Sequence, residues 1–298
     1  MNFNNKENSL NKGGLGVNQG CETASSRGFH RFYIGNVTLV TGNSLVLPEN
    51  IAHQVLKVLR MKVGDTLIIT NGLGFECLSV IDSVIQTGKN SVSVTVKNKE
   101  VIDYTGVSQR ENRQIIACVP IIRKERFEWM VEKLSELHVR HIVPIITKRT
   151  LVKNISVPRL NKIIIEAMEQ SGGVFLPTLH DSVNLPDLAS HLLEIRQKEG
   201  GEKGSLDLDF VTFDFNGRPI LEFLQSNSNK HKTGAKLMAF CIGPEGGFTD
   251  EEKTVLKSSC ETLGIKQSVL SFGRPDCSEN LVLRTETAAI SAAVSMLL

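Results

Sequence analysis

From Gln114 to the C-terminus, short apolar runs alternate with stretches of helical periodicity, and this alternation leaves few folds open. Strands are expected at Gln114–Val119, His141–Ile146, Phe210–Phe215, Lys236–Ile242 and Gln267–Phe272. Helices are expected at Lys124–His138, Pro158–Ser171, Leu185–Lys198, Ile220–Gln225, Thr249–Leu263 and Leu283–Leu298. In the first of these, Phe127, Met130, Val131, Leu134 and Leu137 fall on one face. Strands that alternate with helices build a mostly parallel sheet covered on both faces, so this half is α/β.

The preceding residues read differently. His30–Val40 suits strand and turn pieces. Pro48 opens a short helix with Ile51, Val55, Leu56, Val58 and Leu59 on one side. β runs follow at Thr66–Thr70, Phe75–Ile85 and Ser91–Val96, with Asn71-Gly72 as a hairpin signal. Many short strands and one helix suggest a small barrel. The expected division is a disordered tail at 1–28, the barrel at 29–98, a linker at 99–112 and the α/β domain at 113–298.

The tail lacks an apolar h-region, so it does not read as a secretory signal, and no apolar run is long enough for a membrane helix. The six cysteines include no C-x-x-C pair and no zinc-like spacing, which suits reduced thiols in a cytoplasmic protein. Cys118 and Cys241 lie in apolar strands. No metal site is expected. A net charge of only +2 means that nucleic-acid binding must come from local patches. Basic residues gather at Lys57, Arg60 and Lys62, at Arg123, Lys124 and Arg126, and at Lys148, Arg149 and Lys153. Each cluster is either a solvated face or part of an RNA surface.

Three stretches point to chemistry. In Ile242–Phe248, three glycines and a proline follow an apolar strand, and Thr249 with Glu252 forms a capping box for the next helix. The unit is either a plain tight turn or a ligand cradle. A second glycine turn, Leu270-Ser271-Phe272-Gly273, again follows a strand. Neither turn fits a dinucleotide fingerprint or a P-loop. In the third stretch, Thr285 is a candidate N-cap, and Arg284 stands before a helix N-terminus, where a cation needs an anionic partner. That partner is either Glu286 or Glu245, or it is a substrate. Asp214 is either a ligand-binding residue or, preferred, a turn residue, and His138 and His141 read as structural or solvated. No nucleophile signature is found.

Five blocks carry a resemblance. They are Leu56–Arg60 with Val63–Asp65, Lys133–Leu137, Glu166–Ser171, Ile242–Phe248 and Leu283–Ala288. At these residues the chain resembles the bacterial 16S ribosomal RNA uridine-N3 methyltransferases of the SPOUT superfamily, from about His30 to the C-terminus. The resemblance implies a PUA-like β-barrel that holds RNA and an α/β domain with a deep trefoil knot. It also implies S-adenosylmethionine as cofactor, a homodimer formed through the C-terminal domain, and the 30S subunit or its 16S RNA as partner. The implied cofactor contacts are Ile242, Gly243, Glu245, Gly246 and Gly247, then Ser271, Phe272 and Gly273, then Leu283. Arg284 and Glu286 are the candidate catalytic residues, and Lys57, Arg60, Lys62, Arg123, Arg126 and Arg149, from the basic clusters, the candidate RNA contacts.

The chain departs from the family pattern in two places. The link Arg274–Asn280 is longer than usual, and Gly172-Gly173-Val174 stands where many members carry a basic residue. Uridine N3 must lose its imide proton before it can accept a methyl group. Arg284 is expected to stabilise the charge that develops on O2 and O4, or to grip RNA, and Glu286 to orient Arg284 or take the proton. The rival readings are a methyltransferase of the same fold with another target, and a non-catalytic RNA-binding protein of ribosome assembly.

Overall fold

The computed structural model describes residues 28–86, 88, 91–106, 113–150, 154–200, 206–227, 236–273 and 282–297. Most of the expected tail, the end of the expected linker, the Arg274–Asn280 link, Lys153, Cys21 and Cys277 lie outside them.

The N-terminal domain is a mixed sheet of β1 (Arg31–Tyr33), β2 (Ser44–Val46), β3 (Thr66–Thr70), β4 (Phe75–Gln86) and β5 (Val92–Asp103), in the order β1-β3-β4-β5-β2. Only the β1–β3 pair is parallel. Among the described residues β1 and β2 are the two edges, so the expected barrel is a curled sheet with no ladder joining its ends. It wraps a core that includes Phe32, Ile51, Val55, Leu67, Ile69, Ile81 and Val96. α1 (Glu49–His53) runs on as a π-turn, Gln54–Val58. That wider turn rotates the following residues, and Val58, expected on the apolar side, is exposed. The Asn71-Gly72 signal becomes a four-residue loop that Asn71 N closes on Phe75 O at 3.2 Å.

The stretch expected as linker from residue 99 is strand as far as Asp103, because β4 is long enough to pair with it. The polar run at Lys97–Glu100 conceals this strand: Asn98 is buried, and its side chain is satisfied by Ser79 Oγ at 3.1 Å and Val40 O at 3.1 Å.

The C-terminal sheet is built from β6 (Arg113–Pro120), β7 (His141–Ile146), β8 (Thr178–Leu179), β9 (Val183–Asn184), β10 (Asp207–Pro219), β11 (Lys236–Cys241) and β12 (Lys266–Ser271). Its order is β12-β10-β11-β6-β7-β8, with β9 also on β7, and every ladder is parallel. The helices are α2 (Lys124–Glu136), α3 (Val157–Ser171), α4 (Leu188–Gly200), α5 (Ile220–Asn227), α6 (Asp250–Thr262) and α7 (Thr285–Leu297). Period-two alternation in β6 divides the core. Ile115, Ala117 and Val119 meet α2, α3 and α7 on one face, while Ile116 and Cys118 meet α4 and α6 on the other. Cys118, Cys241 and Cys260 are buried free thiols, and burial raises the pKa of each, that of Cys260 to about 11. Among the described residues no helix is long and apolar enough to cross a membrane.

The two domains share a main-chain seam. Gly74 N donates to Val174 O at 2.9 Å, Leu176 N donates to Gly72 O at 2.8 Å, and Leu73 bridges Phe175. Tyr33 N donates to Glu169 Oε1 at 2.7 Å, which gives the Glu166–Ser171 block a role as an interdomain staple. The Arg140 guanidinium lies 4.2 Å from the Phe175 ring centre.

His141, expected to be structural or solvated, begins a chain of imidazoles. Its Nδ1 lies 3.1 Å from His180 Nε2, and His180 Nδ1 lies 3.1 Å from His191 Nε2. Which nitrogen donates in each contact is set by the tautomers of the three rings. Burial, then the neighbouring imidazoles, lowers the His180 pKa from 6.5 to about 4. In acid the unfolded chain therefore binds this proton first. Stability is fully present above 6.5 and falls as the pH drops towards 4. Thermal melts are expected to show a fall in Tm across this window, and a shallower one in His180→Gln.

Candidate active site

A cavity opens at the carboxyl ends of β10, β11 and β12. Parallel α/β sheets bind ligands at such strand ends. Three loops and one bulge enclose it.

The first loop, 242–249, leaves β11 through a turn in which Gly247 N donates to Pro244 O at 2.7 Å. Gly247 has φ +68°, a conformation costly for any other residue. The expected capping box is present: Glu252 N donates to Thr249 Oγ1 at 3.2 Å and Thr249 N donates to Glu252 Oε2 at 2.8 Å. Glu252 Oε1 also accepts from Lys148 N at 2.7 Å, so the cap clamps the loop after β7 onto α6. Arg149 Nη1 donates to Gly246 O, and Lys148 pairs with Glu251.

The second loop follows β12. The Phe272 ring stacks on Phe213 with centroids 4.5 Å apart and planes 9° apart. The third loop, 282–284, leads into α7. Thr285, expected as its N-cap, instead begins the helix and donates from Oγ1 to Gly243 O at 3.4 Å, tying the third loop to the first. Arg284 O accepts the Ala288 N–H at 2.8 Å.

The bulge is in β10. Pairing with β12 shifts register between Phe213 and Arg218, and the intervening residues bring Asp214 and Phe215 to the cavity wall. Asp214 Oδ2 pairs with Lys253 Nζ at 2.7 Å. Gly217 rests on β12 so closely that a Cβ there would stand 2.7 Å from Leu270 Cα. Ser271 Oγ donates to Gly217 O at 2.9 Å.

Of the nine residues expected at a cofactor, eight line this one cavity: Ile242, Gly243, Glu245, Gly247, Ser271, Phe272, Gly273 and Leu283. Gly246 does not, because it turns outward beneath Arg149. The wall also includes Phe213, Asp214, Phe215, Pro244, Phe248 and Thr285, which the sequence reading did not assign. For the bulge, the Asn216-Gly217 dipeptide is the signal that could have found it.

The charged residues are rearranged relative to expectation. Arg284 is exposed and, among the described residues, makes no ion pair with Glu286 or Glu245. Both carboxylates face Arg126 instead: Glu245 Oε1 lies 2.7 Å from its Nη1, and Glu286 Oε1 lies 3.8 Å from its Nε. Glu286 is buried, and among the described residues its Oε2 has no hydrogen-bond partner. Arg126 and Arg149, expected on RNA, are thus engaged with the pocket loops. Lys57, Arg60, Lys62 and Arg123 are exposed. Among the described residues no cluster of His, Cys, Asp or Glu could hold a metal ion.

Comparison with known proteins gives a consistent picture. The family model described as the RNA methyltransferase domain matches residues 109–297, and that of the RNA methyltransferase PUA domain matches residues 47–97. The ribosomal RNA small subunit methyltransferase E of Rickettsia conorii is 28% identical over 89% of this chain and 93% of its own. That of Bacillus subtilis is 25% identical over 80% and 84%. A methyltransferase from Legionella pneumophila, solved in complex with the cofactor SAM, superposes with a TM-score of 0.65 at 26% identity, over 90% of this chain and 96% of its own.

Proposed function

Because the chain belongs to the RNA methyltransferase family and carries that family's PUA domain, we propose that it transfers a methyl group from S-adenosylmethionine to N3 of a uridine in 16S ribosomal RNA. The observation that carries this reading is the single cavity in which three loops, far apart in sequence, bring together eight of the expected cofactor residues. The names of the Rickettsia and Bacillus relatives support the small-subunit RNA as substrate. The SAM complex of the Legionella protein supports the cofactor.

The cavity fits such a group. Phe213, Ile242, Phe248 and Leu283 offer an apolar wall for a purine. When bound, S-adenosylmethionine would supply an electrophilic sulfonium methyl, with its thioether as the leaving group. The remaining work falls to this chain. Arg284, exposed beside Leu283, stabilises the negative charge that N3 deprotonation spreads over O2 and O4. Glu286, with one buried oxygen unpartnered, takes the imide proton. Lys57, Arg60, Lys62 and Arg123 hold the RNA backbone. The same reading includes a knotted C-terminal domain, a homodimer formed through it, and a cytoplasmic site of action on the 30S subunit.

The test is incubation with methyl-labelled S-adenosylmethionine and either 30S subunits or free 16S RNA, followed by mass spectrometry of the nucleosides. N3-methyluridine is expected. Label in a different nucleoside would replace the target assigned here. RNA binding without cofactor affinity would favour a non-catalytic assembly protein.

A further inference from the structure

We propose that Arg126 is a positioning residue for methyl transfer, fastening the first and third loops of the cavity to α2 through Glu245 and Glu286. The inference rests on the methyltransferase reading above.

Arg126 lies in the first turn of α2, 119 positions before Glu245, yet its guanidinium lies between two carboxylates of the site. Glu245 lines the cavity and Glu286 is the second residue of α7. On the cavity side, Thr285 Oγ1 and Gly243 O already join the same two loops. Arg126 is the charged counterpart of that contact on the outer side.

Two arguments separate this role from RNA binding. First, a guanidinium shared by two carboxylates is a poor phosphate site, because both anions repel the incoming charge. Lys57, Arg60, Lys62 and Arg123 carry no such restraint in the structure, so phosphates have better partners. Second, Glu286 is buried with Oε2 unpartnered, and Arg126 is the cation beside its other oxygen. Without Arg126 this buried carboxylate would face no cation among the described residues, the costly form of a broken ion pair. α7 would then move to hydrate it and draw Leu283 and Thr285 away from the cavity.

The experiment uses the full-length chain as wild type, Arg126→Gln and Arg126→Lys. S-adenosylmethionine affinity is read by calorimetry without RNA, and steady-state constants are read for both substrates. Arg126→Gln is expected to weaken cofactor binding and raise the cofactor KM about tenfold. The KM for 16S RNA and the salt dependence of RNA binding stay at wild-type values. Arg126→Lys recovers most of the loss, because an ammonium still neutralises one carboxylate. Cofactor affinity unchanged in Arg126→Gln overturns the role, as does weaker RNA binding with a shallower salt slope. A loss that lysine fails to restore overturns the charge-based role as well. Wild-type protein that binds no S-adenosylmethionine overturns the methyltransferase reading and this role together, whereas wild-type binding matched by Arg126→Gln overturns this role alone.

Discussion

Arg284→Ala is expected to slow methyl transfer to 16S RNA about a hundredfold or more, a loss of roughly 3 kcal/mol of transition-state stabilisation. Cofactor affinity and Tm should stay near wild-type values. The expectation follows from where the side chain sits. It is exposed, has no ion pair among the described residues, and stands next to the cavity-lining Leu283. An unpaired arginine at the positive end of a helix contributes nothing to folding that alanine would remove. Its charge is instead available where the uracil oxygens become negative. Because that interaction strengthens only as N3 loses its proton, the loss should fall on kcat, with little change in cofactor KM. Single-turnover rates with saturating RNA measure it directly. A normal rate in Arg284→Ala would remove the residue from the mechanism.

Gly217→Val is expected to cost about 3 kcal/mol or more of stability and to abolish cofactor binding, while Asn216→Ala leaves both nearly unchanged. For a chain of this size that corresponds to a fall in Tm of roughly 6 °C or more. The cause is a backbone contact. A Cβ at Gly217 would lie 2.7 Å from Leu270 Cα, and strand backbone has no rotamer with which to give way. The added side chain must push β10 off β12, breaking the Ser271 Oγ–Gly217 O bond and withdrawing Asp214 and Phe215 from the wall. Asn216 is exposed, and its N–H donates to Asp214 Oδ1 from the main chain, so truncation of its side chain keeps that bond. Thermal melts and calorimetry on the two variants give both readouts. A stable, cofactor-binding Gly217→Val would show that the bulge does not shape the site.

Local signals in the sequence were enough for much of this architecture. Apolar periodicity placed the longer strands and helices, Thr249 and Glu252 announced their capping box, and two glycine turns marked loops that do meet at one cavity. The two-residue strands β8 and β9 were not legible, because so short a run has no period. The β10 bulge was marked only by the Asn216-Gly217 dipeptide, and its place is fixed by register against β12. The basic residues divide for the same reason. Arg126 and Arg149 read as surface charge until the fold brings Glu245 and Gly246 to them from 119 and 97 positions away. Charge can be counted along a chain, but the partner that neutralises it is set by the tertiary structure.

The seam between the domains turns the molecule into a gauge. Main-chain bonds from Gly72 and Gly74 to the 174–176 segment, together with the Tyr33–Glu169 staple, tie the N-terminal sheet to the C-terminal domain at several points. The spacing between Lys57, Arg60 and Lys62 and the cavity is therefore built into the polypeptide. On the proposed reading, an RNA held at these residues would offer its target base only if its own folded contour spans that interval. Discrimination among uridines can then be a matter of length and shape, decided before any base edge is read.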